Sequence, residues 1–393
     1  MHSYNKQDYI YNQTKRLLRN FRRLIHTGNN FFTTGMGSII QIVMITNNKV
    51  VYEVASTKKQ HTIKLEKFRM AIWHMFLHRT ATRKELEKFF NFNTHLMALL
   101  NAAFGSKLSK IHKMPNRMLR LTLKGTRYYF SGMEYSTADR ILVSQNGGRF
   151  VLFSYFTLRD LKHEKILEIF KHCWKLNLRI IIDSGAFSIM KAHRKSPDSY
   201  NMFKYRKICL IEYSQFLISF QKYILGYFNL DVESDLAATS DNLTFLTKTV
   251  GMVPYPVWHF GMGWEELDRL VVSCQYSLIG IGGTVFIKSS KEKRSFFTEL
   301  FDRYGEMQPF HWLGGSSQLL NDFEFLSADS TGFNIGRRFR RLIPLYRAQI
   351  EAPLNMNTID CLTYNIKQMA KLEEPYFDMQ MEIPLPYSAP STV

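Results

Sequence analysis

A chain of 393 residues with 45% hydrophobic and 14% aromatic side chains can bury a large core, which excludes a disordered tract and suggests one large domain with a smaller one. Its 52 Lys and Arg against 33 Asp and Glu give a formal charge of +19, favouring a polyanionic partner, nucleic acid before an anionic membrane surface. No apolar run reaches membrane-spanning length, the opening segment lacks a secretory core, and Cys173, Cys209, Cys274 and Cys361 show no paired spacing. The expectation is therefore a cytoplasmic chain with no membrane partner, no disulfide framework, no zinc motif and no cofactor.

In chain order, Lys15, Arg16, Arg19, Arg22 and Arg23 recur at helical spacing opposite Leu17, Leu18, Phe21, Leu24 and Ile25, predicting an amphipathic helix with a cationic stripe. Residues 36–63 read as two or three strands turning at Asn47 and Asn48. Three short helices follow: one carrying Phe68, Ile72, Met75 and Phe76, one opened by the capping-box pattern Thr82 to Glu85, and one from about Thr94 to Gly105. The stretch MLRLTLKGTRYYF then alternates around Lys124 and Gly125 and reads as a hairpin. Three helices and a basic hairpin over residues 65–130 resemble a winged helix-turn-helix domain, with Arg117, Arg120, Lys124 and Arg127 beside a nucleic-acid backbone. Residues 1–140 are thus expected to form a basic α+β nucleic-acid-binding domain, with a linker at 133–148.

From Arg149 onward, short apolar runs alternate with helical stretches: RFVLFSYF, RIIIDSGAFS, YFNLDVES, PVWHFGMG, SLIGIGG, PFHWLGG and FEFLSADS. Seven strands that do not alternate, separated by crossover helices, predict an α/β fold of TIM-type (β/α)8 barrel architecture over residues 141–345. The eighth strand is left open between RRLIPLY and a strand from the first third. Residues 346–393 are expected to hold a helix, IDCLTYNIKQMAKLEE, and a loose tail. At the predicted strand ends stand Asp183, Asp231, His259, Gly282, Gly283, His311 and Asp329, where the active sites of such barrels lie. The segment EFLSADSTGFNIGRR places Asp329 on a small-residue loop, with Arg337 and Arg338 within reach of a phosphate.

The ordered series IIIDSGAFS, YFNLDVES, HFGMG, LIGIGG, HWLGG and SADSTGFNIGRR resembles the queuine and archaeosine tRNA-guanine transglycosylase superfamily across residues 149–340. The resemblance implies that Asp329 is the nucleophile at C1′ and Asp183 the general acid/base. It further implies that Asp231 accepts hydrogen bonds from the base, that Gly282 and Gly283 approach it, and that Ser184 and Gly185 lie in the pocket wall. His259 stands near a glutamine that contacts the base in that family. The tRNA enzymes hold structural zinc on clustered cysteines after the nucleophile strand, whereas here only Cys361 follows Asp329. With a basic domain in front, the chain looks more like the DNA-directed branch of phages and bacterial modification islands.

Base exchange with retained configuration needs two displacements and a carboxylate that holds the sugar between them. The expected function is DNA-guanine transglycosylase, a pentosyltransferase, exchanging guanine for a 7-deazaguanine of the preQ0 type. The expected polymer is DNA, with tRNA the alternative, and Arg337, Arg338, Arg120 and Lys124 as nucleic-acid contacts. The rival readings are a zinc-free tRNA enzyme, a non-catalytic DNA-binding regulator and a retaining glycoside hydrolase, the last kept open by Trp258, Trp264 and Trp312.

Overall fold

The computed structural model describes residues 8–28, 30–189, 202–232, 235–345 and 347–374. The chain begins with helix α1 (Tyr9–His26), capped by Asp8, which accepts from the Ile10 and Tyr11 backbone N–H groups. Leu17, Leu18 and Phe21 face inward. Strands β1 (Phe31–Thr33), β2 (Ile39–Ile45), β3 (Lys49–Val54) and β4 (Gln60–Lys64) form an antiparallel meander; the last three are those expected over residues 36–63, and β1 precedes them. Helix α2 (Leu65–His78), strand β5 (Thr80–Thr82), helix α3 (Arg83–Leu86), helix α4 (Asn93–Phe104) and strands β6 (Ser109–Lys113) and β7 (Leu119–Leu123) complete this unit. Their three strands pair antiparallel in the order β5-β7-β6. The capping box at Thr82 and Glu85 is formed, and α4 stops at Gly105, whose φ is +78°.

The second unit is an eight-stranded parallel sheet: β8 (Arg127–Ser131), β9 (Phe150–Ser154), β10 (Arg179–Asp183), β11 (Ile224–Tyr227), β12 (Val257–His259), β13 (Ile279–Gly282), β14 (Phe310–Trp312) and β15 (Ser327–Ser330). Neighbours in chain order are neighbours in space, and β15 pairs back onto β8. At the two edges a parallel bridge joins Phe228 to Tyr255, with Tyr255 N–H donating to the Tyr227 carbonyl and Asn229 N–H to the Tyr255 carbonyl, each at 2.8 Å. The sheet therefore curls until its edges meet, an arrangement compatible with a TIM-like α/β fold.

The eighth strand, RYYFS, comes from the first third of the chain. It was expected to be the second arm of the hairpin. The hairpin instead joins β6 to β7 around Met114 to Met118, and Lys124 and Gly125 form the short passage into β8. The large unit thus begins near residue 126 rather than 141. It also recruits the helix Thr358–Lys371, whose Leu362, Ile366 and Met369 belong to the same core, so residues 346–374 are not a separate appendage. The predicted tail, PLPYSAPSTV, lies outside the described residues.

The basic unit docks on the N-terminal ends of the strands, away from the end that carries the acids. Ile10, Trp73 and Leu77 pack with Tyr129, Phe150, Ile181 and Leu225. Around this apolar contact stand four buried arginines. Arg127 opens β8 and donates to the Leu77 and Phe76 carbonyls at the end of α2. Arg79 wraps the passage by donating to the Leu123, Lys124 and Gly125 carbonyls. Arg179 pairs with Asp8, and Arg120 donates to the Tyr276 and Ser277 carbonyls. Arg120 is fully buried and Arg127 nearly so, which corrects their expected place against nucleic acid: Arg120 is spent on backbone carbonyls at the junction, and Arg127 on backbone carbonyls and Glu373. Lys124 is half-buried on that same face.

Glu373 Oε1 accepts from Arg79 at 2.8 Å and from two nitrogens of Arg127 at 2.6 and 3.0 Å. Burial alone would raise the Glu373 pKa; the charges of Arg127 and Arg79, with their hydrogen bonds, outweigh it and hold the carboxyl below its usual value. Its stabilising effect is therefore present above the ordinary carboxylate pKa and is lost as pH falls through the lower folded value. Replacing Glu373 by Ala leaves two buried guanidiniums without their counter-charge. The expected loss is about 3–5 kcal/mol, read as a lower urea midpoint, whereas removing the exposed Arg294–Asp322 pair should shift it little.

Candidate active site

A cavity of about 430 Å³ opens at the C-terminal end of the sheet. Asp183, Asp231, His259, Gly282, Gly283 and Asp329 line it together with Lys293, Trp312 and Gly314. Asp183 is the last residue of β10, Asp329 lies in β15, and Asp231 follows β11. Three carboxylates from three strands thus converge on one space of a size that holds a small ligand.

Asp329 is held most tightly. Its Oδ2 accepts from the Ser131 hydroxyl at 2.8 Å, and its Oδ1 accepts from the Gly314 N–H at 3.1 Å and lies 3.2 Å from His311 Nε2. Ser327 Oγ sits 2.8 Å from the other ring nitrogen of the buried His311. With the hydroxyl donating to Nδ1, Nε2 carries the proton toward Asp329, and the carboxylate keeps acceptor capacity to spare. Ser131 ends β8 and Gly314 follows β14, the two strands flanking β15, so the sheet register helps aim the carboxylate.

Asp183 is handled differently. The backbone after β10 turns through Gly185 (φ +80°), whose N–H donates to Asp183 Oδ2 at 2.9 Å. A side chain at Gly185 would place Cβ 2.3 Å from Phe156 Cβ, so only glycine fits this turn. Burial first, then the charges of Asp329 and Asp231, push the Asp183 carboxyl up to about 7, against the pull of the Gly185 N–H. Glu134 adds to the same charge. It is buried, its own pKa is raised by that burial, and it accepts from the Ser154 N–H at 3.0 Å.

Asp231 Oδ2 lies 2.6 Å from His259 Nε2, while Asp231 Oδ1 accepts no hydrogen bond from the described residues. The His259 ring covers Gly282: a Cβ there would meet Nδ1 at 2.7 Å. His259 therefore braces Asp231 and closes one wall, which gives it a place that the sequence left open. Gly283 (φ +73°) turns the chain outward beneath Phe260.

Two expected wall residues fall elsewhere. Ser184 is fully buried and does not line the cavity, and Gly185 acts through its backbone on Asp183. Side chains alternate at the strand end, so the residue after an inward Asp183 must point away. Arg337 forms a two-pronged pair with Asp139 that ties the helix Ile335–Phe339 to the helix Thr137–Gln145. Arg338 remains exposed. Ser131, Glu134, Lys293 and Gly314 were not read from the sequence: the first, second and last come to the site where distant strands pair, and Lys293 comes from the helix Ser290–Tyr304. His311 was noticed at a strand end but given no role; its place inside a short apolar strand was the available signal. Trp258 is stacked against Trp264 and Phe296 in the core, so neither indole is offered as a sugar platform.

The elevated Asp183 pKa carries a stability consequence. A raised folded-state pKa favours folding below the ordinary carboxylate value and loses that contribution as pH rises toward 7. Replacing Asp183 by Asn should therefore raise the melting temperature more at pH 8 than at pH 5, as followed by thermal unfolding. Equal shifts at both pH values would count against the charge crowding described above. A comparison with protein-family models and with curated proteins finds no match for this chain.

Proposed function

We propose that the chain is a guanine transglycosylase of the DNA-directed kind, exchanging guanine in DNA for a 7-deazaguanine base through a covalent sugar–Asp329 intermediate. In this reading the curled sheet is a closed (β/α)8 barrel. The unit formed by α2, α3, α4 and β5 to β7 is a winged helix-turn-helix module. The observation that carries the proposal is the convergence of Asp183, Asp231 and Asp329 on one cavity in unlike states: one carboxyl raised to about 7, one held by three neighbours, one paired with His259 through a single oxygen. Environments that push the protonation of neighbouring acids apart mark an acid and a nucleophile.

The steps balance as follows. Asp329 attacks C1′ from the face opposite the base, the C1′–N9 bond breaks with its electron pair passing to the base, and protonated Asp183 gives its proton to the departing guanine. An incoming 7-deazaguanine then yields its N9 proton to the Asp183 carboxylate as N9 attacks C1′ and releases Asp329. Two inversions retain the configuration. Asp231 Oδ1 is the acceptor for the ring N–H and amino donors of a guanine-like base, with His259 holding Oδ2. The carboxyl raised by burial can exist in both protonation states near neutrality, as both halves of the exchange require.

The test is incorporation of labelled guanine, and of a labelled 7-deazaguanine, into DNA and into tRNA. Label should enter DNA, with Asp329→Asn abolishing it and Asp183→Asn reducing the rate by about 10²–10⁴-fold. For wild type, the rate of the first half-reaction should fall as pH rises through about 7. Label entering tRNA alone would move the substrate assignment, and label in neither would move the chain to a binding role.

A further inference from the structure

Seven aromatic side chains are exposed among the described residues: Phe31, Phe92, Tyr135, Phe187, Phe260, Phe286 and Phe339. Tyr135, Phe187, Phe260 and Phe286 lie one to four residues past the C-terminal ends of β8, β10, β12 and β13, the end of the sheet that opens into the cavity, and Phe339 closes the helix Ile335–Phe339 that follows β15. Because the strands run round the sheet in chain order, four of the eight strand ends are each followed closely by one such ring. Those strand ends are spread along the sheet from β8 to β13. Phe187 and Phe286 also line the cavity itself. Two rings are fixed by neighbours: the Tyr135 hydroxyl donates to the Thr157 carbonyl at 2.7 Å, and Phe260 meets Phe296 edge-on at 5.1 Å. Phe286 and Phe339 are 53% and 69% exposed, a large loss of favourable burial unless something covers them.

Cations stand among these rings. Lys293 lines the cavity, Lys288 follows Phe286 by two residues, and Arg338 precedes Phe339. None of the three is engaged in an ion pair with a described residue. Exposed aromatic faces interleaved with unengaged cations suit a strand whose bases are free to stack and whose phosphates need neutralising. A paired duplex hides its base faces inside the stack and leaves such rings against sugar and phosphate.

Resting on the nucleic-acid reading above, we propose that the cavity mouth is a docking platform for an unpaired stretch of the substrate strand. Bases flanking the target stack on Phe260, Phe286 and Phe339, while Lys288, Lys293 and Arg338 sit beside the phosphates. The substrate is then single-stranded or locally melted DNA, and the platform, more than the winged module on the opposite face, presents the target base to the acids.

The experiment is fluorescence anisotropy with the full chain and one guanine-containing oligonucleotide, offered as single strand, as perfect duplex and as duplex with a central unpaired bubble. Single strand and bubble should bind more tightly than duplex. Phe260→Ala, Phe286→Ala and Phe339→Ala should each weaken single-strand binding by about 5- to 100-fold, with Phe286→Trp restoring it. Equal affinity for single strand and duplex, or alanine variants that bind single strands as the wild type does, overturns the platform. Guanine exchange measured on the same oligonucleotides separates the two ideas. Ring-dependent single-strand binding without exchange removes the transglycosylase reading and keeps the platform. Exchange at wild-type rate in the alanine variants does the reverse.

Discussion

Carboxylates brought together in a partly dry pocket cannot all carry their charge at low cost, and the acidic end of this molecule is built around that repulsion. Asp329, Asp231 and Asp183 come from three strands, so the curl of the sheet forces the encounter. The protein resolves it by unequal provision. Among the described residues, Asp329 receives a hydroxyl, a backbone N–H and an imidazole, Asp231 an imidazole, and Asp183 one backbone N–H and the pressure of its neighbours. A proton is thereby retained on the one group whose proposed task is to give and take one.

The opposite end solves a different problem with opposite charges. Arg79, Arg120, Arg127 and Arg179 are buried where the small unit meets the sheet, and they are satisfied by carbonyls, by Asp8 and by Glu373. Part of the chain's excess positive charge is therefore structural. Two groups of exposed cations matter for the proposed polyanion. One is the exposed stripe of Lys15, Arg16, Arg19 and Arg23 on α1; the other is at the cavity mouth. A duplex held at the first would lie at least a strand length, about 15 Å, from the acids. In the proposed reading, that separation is the reason for recognition elements at the mouth itself.

The sequence made the local structure legible where a single residue type dictates geometry. Thr82 and Glu85 marked a helix start, Gly105 marked an end, and the apolar runs ending in Asp183, His259 and Gly282 were strands at those positions. It misled at RYYFS because a strand buried on both faces carries no period that separates a hairpin arm from a parallel strand, and its partner Ser327–Ser330 lies far along the chain. Arg120 and Arg127 read as surface cations for a similar reason: Glu373 is 246 residues from Arg127, and nothing local announces the pair. The three acids could be read because strand ends are local features. Their supporting groups, Ser131, His311 and Glu134, depend on the register of neighbouring strands and needed the structure.

The most direct measurement of the central claim is the intact mass of the protein after mixing with a guanine-containing DNA oligonucleotide in the absence of any free base, followed by rapid denaturation. With no acceptor present, guanine should leave while the strand stays bound through its abasic sugar. The protein should gain the mass of the oligonucleotide less guanine, and the adduct should map to Asp329. Free guanine appearing with no protein-bound strand, or an adduct on another residue, would contradict the account.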